Sequence, residues 1–134
     1  MPGVTTTERF ADRLVRPATF GWGAARAALG VVALLDPPRV SRPWIGADAD
    51  RTGALVFARA LGGRDVALGA GAMYTAVRGE PVRPWALAGA AADLGDTLIT
   101  CVHRRELPRG RRAFIACLAG GSALLGTALA LAER

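Results

Sequence analysis

Apolar positions in this chain come in long runs rather than in the alternating or one-in-four patterns of half-buried elements. The first run covers 18–35 and is closed by Asp36-Pro37-Pro38; the second covers 53–77 and is crossed by Gly62-Gly63-Arg64-Asp65. The third, 85–103, is entered through Pro81 and Pro84, and the fourth, 113–132, carries no charge. Each has the length of about 20 residues that crossing a bilayer requires, and the prolines mark helix ends. Ahead of them, Thr5-Thr6-Thr7-Glu8 has the spacing of a capping box. The segment it opens, to Arg16, sets Phe10, Leu14 and Val15 among Arg9, Asp12 and Arg13. Such a segment suits the membrane interface and lacks the basic start and apolar core of a signal peptide. The pattern predicts an all-α protein: a short N-terminal amphipathic helix over 1–17 and a four-transmembrane-helix bundle over 18–134. A water-soluble bundle would need a polar face on every helix, and the fourth run offers only Ser122 and Thr127.

Composition narrows the function classes. With 134 residues there is room for one domain, a hydrophobic share of 51% excludes disorder, and two Cys exclude a disulfide scaffold. One His, two Ser and no Lys leave few groups for hydrolytic catalysis. The net charge of +6 would suit nucleic acid if the arginines formed a patch interleaved with aromatics, but they fall between the apolar runs. No nucleic acid partner is therefore expected; the expected partners are the lipid bilayer and either a second copy or a membrane subunit. No metal or cofactor is implied, and the expected location is the inner (cytoplasmic) membrane, as an integral protein. Threaded up and down, one face carries Arg39, Arg42, Arg51 and five arginines from Arg104 to Arg112; the other carries Arg9, Arg13, Arg16, Arg78, Arg83 and Arg134. Eight against six places both termini away from the cytoplasm. Trp22, Tyr74 and Trp85 would form an aromatic belt on one face and Trp44 on the other.

The ionisable residues inside the runs are the chemical signal. Arg26 lies in the first, Arg59, Arg64 and Asp65 in the second, and Asp93 and Asp96 in the third, with equal numbers of each sign. A lone charge at mid-depth costs about 2.5–3.5 kcal/mol, so the six are expected to pair or to face an aqueous cavity. Thr97, Thr100 and His103 continue the stripe of Asp93 and Asp96. The candidate site is therefore Arg26, Arg59, Arg64, Asp65, Asp93, Asp96, Thr97, Thr100 and His103. Two readings fit it: an ion-pair network that fixes helix order, or a polar channel, proton relay or ligand site. In the second, the protein would be an enzyme or carrier acting on a lipid-soluble or anionic small molecule. A proton-coupled exporter like the small four-helix multidrug transporters would need a carboxylate in the first helix, where this chain has Arg26.

Other motifs are weaker. Asp48-x-Asp50 starts like a calcium loop but has Arg59 at the twelfth position, where Glu is needed. Asp93-x-x-Asp96 is similar to the magnesium-binding carboxylates of membrane prenyl and alcohol-phosphate transferases, which repeat the motif; here it occurs once. Cys101 and Cys117 are expected as buried free thiols. Small residues at four-residue spacing, Ala67, Gly71, Thr75 and Ser122, Gly126, Ala130, point to close helix packing. Gly62-Gly63 predicts a kink or local unwinding in the second helix, turned toward Asp96 or Thr97.

Gly62-x-Arg64-Asp65 in the second helix and Asp96 within Leu94-Gly95-Asp96-Thr97-Leu98-Ile99 in the third carry a resemblance. From about Ala25 onward the chain resembles a family of small bacterial membrane proteins with four predicted helices, known as a domain of unknown function. The resemblance implies a four-helix membrane fold and brings no activity with it. Many members have a His in the fourth helix, and this sequence has none there.

Overall fold

A computed structural model describes the backbone of residues 6–109 and 111–133, with side chains from residue 13. All secondary structure among the described residues is helical. Helix α1 runs Thr6–Leu35, α2 Pro37–Ile45, α3 Thr52–Arg78, α4 Arg83–Val102 and α5 Arg112–Ala132, with a 3-10 turn at Gly46–Asp50 between α2 and α3. The four long apolar runs are thus the four long helices. The separation expected near residue 17 is not a helix boundary: α1 continues through Pro17. Thr5 and the side chains of residues 6–12, and with them the capping box and the amphipathic face, lie outside the described residues.

Helix α2 has no counterpart in the apolar pattern. Pro37 and Pro38, read from sequence as a stop, also begin it, because proline suits the first helical turn, where the missing N–H has no partner to lose. Its end turns at Gly46, whose φ of 69° is the left-handed backbone that glycine adopts without strain.

Crossing length and composition are met by two helices, not four. Residues Arg13–Leu35 of α1 and Arg112–Ala132 of α5 are long and apolar enough to span a membrane. Helices α3 and α4 fall short because their central residues include Arg59, Arg64 and Asp65 in one, Asp93 and Asp96 in the other.

Helix α1 packs mainly against α3, and α4 against α5; contacts between the two pairs are sparser. The α1–α3 contact is antiparallel and made at glycines spaced seven apart, Gly23 against Gly69 and Gly30 against Gly62. A methyl built on Gly62 would lie 2.7 Å from the Gly30 carbonyl oxygen, and one on Gly23 2.8 Å from that of Gly69. Backbone touches backbone here, the close approach that small residues permit in membrane bundles. The unwinding expected at Gly62-Gly63 does not occur: α3 is one α-helix from Thr52 to Arg78. Gly62 is explained by contact with α1, and Gly63 meets nothing within 4 Å.

The core is built of small residues around one large one. Trp22 is buried with Ala72, Ala86, Leu129 and Ala130, and Gly89 and Gly126 make room for its ring. Trp22 therefore belongs to the interior rather than to an interfacial belt. Cys101 and Cys117 are free and exposed, not buried.

Candidate functional site

The register set by the glycine contacts places Arg26 of α1 opposite Asp65 of α3, and Arg26 Nη1 donates to Asp65 Oδ1 at 2.9 Å. The other amino group of Arg26 reaches α4, donating to the Gly89 carbonyl at 3.3 Å and pairing with the Asp93 carboxylate. Arg26 is 6% exposed and its guanidinium stands 5.0 Å over the Trp22 ring. Trp22 Nε1 in turn donates to Ser122 Oγ of α5 at 2.9 Å. One arginine thus joins α1 to α3 and α4, and through its stacked tryptophan to α5.

Arg64 makes the second link. Its Nη2 and Nη1 donate to the two oxygens of Asp96 at 2.8 and 3.3 Å, a two-pronged contact that fixes the carboxylate plane. Its Nε donates to Asp65 Oδ1 at 3.1 Å, so Asp65 bridges both arginines. Arg26, Arg64, Asp65, Asp93 and Asp96 therefore form one connected network between α1, α3 and α4.

The remaining candidate residues lie outside it. Arg59 Nε donates to the Leu34 carbonyl at 3.3 Å, covering an acceptor left free in the last turn of α1. At the opposite end Arg16 does the same for α3, donating to Gly79 and Glu80 carbonyls at 3.1 and 3.2 Å. The carboxylate of Glu133 accepts from the N–H groups of Val82 and Arg83 at 2.8 and 2.6 Å, closing the start of α4. Thr97 and Thr100 turn their hydroxyls back to the carbonyls of Asp93 and Asp96, at 2.8 and 2.6 Å, and do not join the carboxylates. His103 is exposed beyond the end of α4 and meets Glu106 at 2.9 Å. Asp48 and Asp50, the start of the rejected calcium loop, pair with Arg51 and Arg42. Among the described residues no three His, Cys, Asp or Glu are placed to hold a metal ion. Sequence reasoning missed Trp22 and Ser122; Trp22 lies four residues before Arg26, on the same helix face.

A cleft of about 250 Å³ adjoins the network between α1 and α5. Asp65, Asp93, Asp96 and Arg26 line one side, while Leu29, Val40, Trp44, Ile115 and Leu118 supply apolar walls. Arg64 lies outside the lining.

No family model, curated protein or solved structure matches the chain.

The different placement of Arg59 has a measurable consequence. Arg59→Ala is expected to lower stability by about 0.3–1 kcal/mol, the size of a terminal charge effect. Thermal unfolding in detergent micelles measures it; a loss comparable with that of Arg26→Ala would mean that Arg59 belongs to the network.

Proposed function

We propose that the chain is an integral protein of the cytoplasmic membrane in which α1, α3, α4 and α5 each cross the bilayer, and that the Arg26/Arg64/Asp65/Asp93/Asp96 network organises the bundle. The observation that carries this reading is the inversion of polarity between interior and surface. Arg26 and Asp93 are 6% and 7% exposed, whereas Leu124 is 75% exposed and Phe57 72%. Large apolar side chains cover the outside of all four long helices, among them Val31, Val77, Leu98 and Leu131. Water would penalise so much contiguous apolar surface, and a lipid environment would not.

Internal pairing of most of their central charges supports reading α3 and α4 as crossings. Arg64, Asp65, Asp93 and Asp96 pair with one another and with Arg26, and Arg59 alone stays outside the network, bonded to the Leu34 carbonyl. With 27 and 20 residues both have the length to cross. Helix α2 and the 3-10 turn would lie at the end rich in arginine, facing the cytoplasm. Membership of the four-helix family that the Gly62-x-Arg64-Asp65 and Asp96 motifs resemble is part of the same proposal, as is association with a second copy or a membrane subunit. The network acts here as structure rather than as a catalytic centre.

Topology tests it. In a background of Cys101→Ser and Cys117→Ser, single changes Asp48→Cys and Glu80→Cys are labelled with a membrane-impermeant maleimide in oriented vesicles. Position 48 is expected to react only from the cytoplasmic side and position 80 only from the other, with the protein retained in the membrane after an alkaline wash. Release by the wash, or labelling of both positions from one side, would overturn the reading.

A further inference from the structure

The end of the bundle opposite α2 carries a cavity that the charge network does not touch. Its volume is about 590 Å³, and Arg16 of α1, Arg83 and Leu87 of α4 and Glu133 after α5 line it. Both arginines can bond an anion there. Arg16 donates one N–H from each amino group to the Glu80 and Gly79 carbonyls, which leaves a second N–H on each. Arg83 is exposed, and what Glu133 accepts from it is the backbone N–H rather than the guanidinium. The Glu133 carboxylate turns its two oxygens to the N–H groups of Val82 and Arg83. Two guanidinium groups and one carboxylate leave the cavity with one positive charge in excess.

An apolar groove of about 540 Å³ continues from this cavity along the outside of the bundle, between α4 and α5. Leu87 borders both. Beyond it Ala91 and Leu94 form one wall, and Gly120, Ala123 and Thr127 the other. The Thr127 hydroxyl donates back to the Ala123 carbonyl at 2.8 Å, so its hydrogen is satisfied within its own helix. Arg83, Leu87, Ala91 and Leu94 follow one another at helical spacing, so the arginine heads the same face of α4 that walls the groove. At about 1.5 Å per residue this face runs about 16 Å from Arg83 to Leu94, the depth of one leaflet of a hydrocarbon core about 30 Å thick.

A basic cavity at the membrane surface, joined to an apolar channel one leaflet deep, fits an amphiphile and neither a free ion nor a plain hydrocarbon. A headgroup with a single negative charge leaves the cavity neutral, whereas a zwitterionic one leaves the positive charge unbalanced. We propose that the site holds one anionic phospholipid of the phosphatidylglycerol type, its phosphate between Arg16 and Arg83 and one acyl chain in the α4–α5 groove. The inference rests on the membrane reading, which puts this end of the bundle in the leaflet away from the cytoplasm.

The test is native mass spectrometry of the full chain in detergent micelles, titrated with phosphatidylglycerol, with phosphatidylcholine of the same chains, and with glycerophosphoglycerol, the headgroup without chains. We expect one phosphatidylglycerol to bind saturably, about 25-fold more tightly than phosphatidylcholine, a factor of about five for each arginine. Glycerophosphoglycerol is expected not to saturate. Arg83→Gln keeps the backbone N–H that Glu133 accepts and is expected to bring the ratio down to about fivefold. Arg105→Gln, which removes the same charge from an exposed position at the other end, is expected to leave the ratio unchanged. Ala91→Phe fills the groove from an exposed position and is expected to weaken both lipids alike. Equal binding of the two lipids, equal binding of the chain-free headgroup, an equal fall with Arg105→Gln, or no effect of Ala91→Phe would overturn the proposal. A correct labelling topology without a preferred lipid would remove this inference and leave the membrane reading intact.

Discussion

Arg26→Ala is expected to be the most damaging single truncation in the network, costing about 3–5 kcal/mol, because it strips a counter-charge from buried Asp93 and half-buried Asp65 at once. Asp65 keeps Arg64 as a partner, whereas Asp93 loses its one ionic partner among the described residues. The Gly89 carbonyl also loses a donor and the Trp22 ring its stacked cation. An ordinary interhelical hydrogen bond in a membrane bundle is worth about 0.6 kcal/mol, so the measured size separates a charge network from a set of polar contacts. Asp93→Asn supplies the contrast. The network holds two arginines and three aspartates, and this change leaves two facing two, so it is expected to change stability by no more than about 1 kcal/mol. Reversible unfolding in mixed micelles, followed by helical circular dichroism, measures both. Comparable losses for the two variants would mean that the network tolerates no charge change of either sign and that no carboxylate is in excess.

The sequence made the long helices visible because apolar runs closed by Pro, Asp or Arg are a one-dimensional signal. The ends fall at Leu35, Arg78, Val102 and Ala132, close to where the runs stop. The gathering of Arg26, Arg64, Asp65, Asp93 and Asp96 was also legible, since counting along up-and-down helices gives depth. What counting cannot give is azimuth. Arg59 is near the right depth but meets the end of α1, and Thr97 and Thr100 share a stripe with the carboxylates while bonding to their own backbone. Depth alone puts Trp22 in an interfacial belt, yet Gly89 and Gly126 on other helices leave a space for its ring. Such a space is a property of helices brought together, and no single segment carries it. Cys101 and Cys117 show the same limit: they are exposed, on faces that composition does not distinguish.

Azimuth also decides the two adjacent glycines of α3, and it gives them opposite expected responses to the same substitution. Gly62→Ala is expected to destabilise by about 1–3 kcal/mol, the range for overpacking, because its methyl would meet the Gly30 carbonyl oxygen at 2.7 Å and the Ala33 side chain at 2.9 Å. The first of these is backbone, which no rotamer change can move aside. Relief requires α1 and α3 to separate. Separation acts on the site as well, since the same contact sets the register in which Arg26 meets Asp65. Gly63, one residue on, points away from every neighbour, and its methyl would meet nothing within 4 Å. There the effect on the helix itself is what remains, and alanine exceeds glycine in an α-helix by about 0.8–1 kcal/mol. Gly63→Ala is therefore expected to leave stability unchanged or raise it. Parallel thermal unfolding of the two variants in micelles gives the comparison directly. Equal losses at both positions would mean that α3 uses the pair for a bend and that its contact with α1 is looser than the Gly30–Gly62 approach requires. Opposite signs would tie the position of the charge network to a single point where two backbones touch.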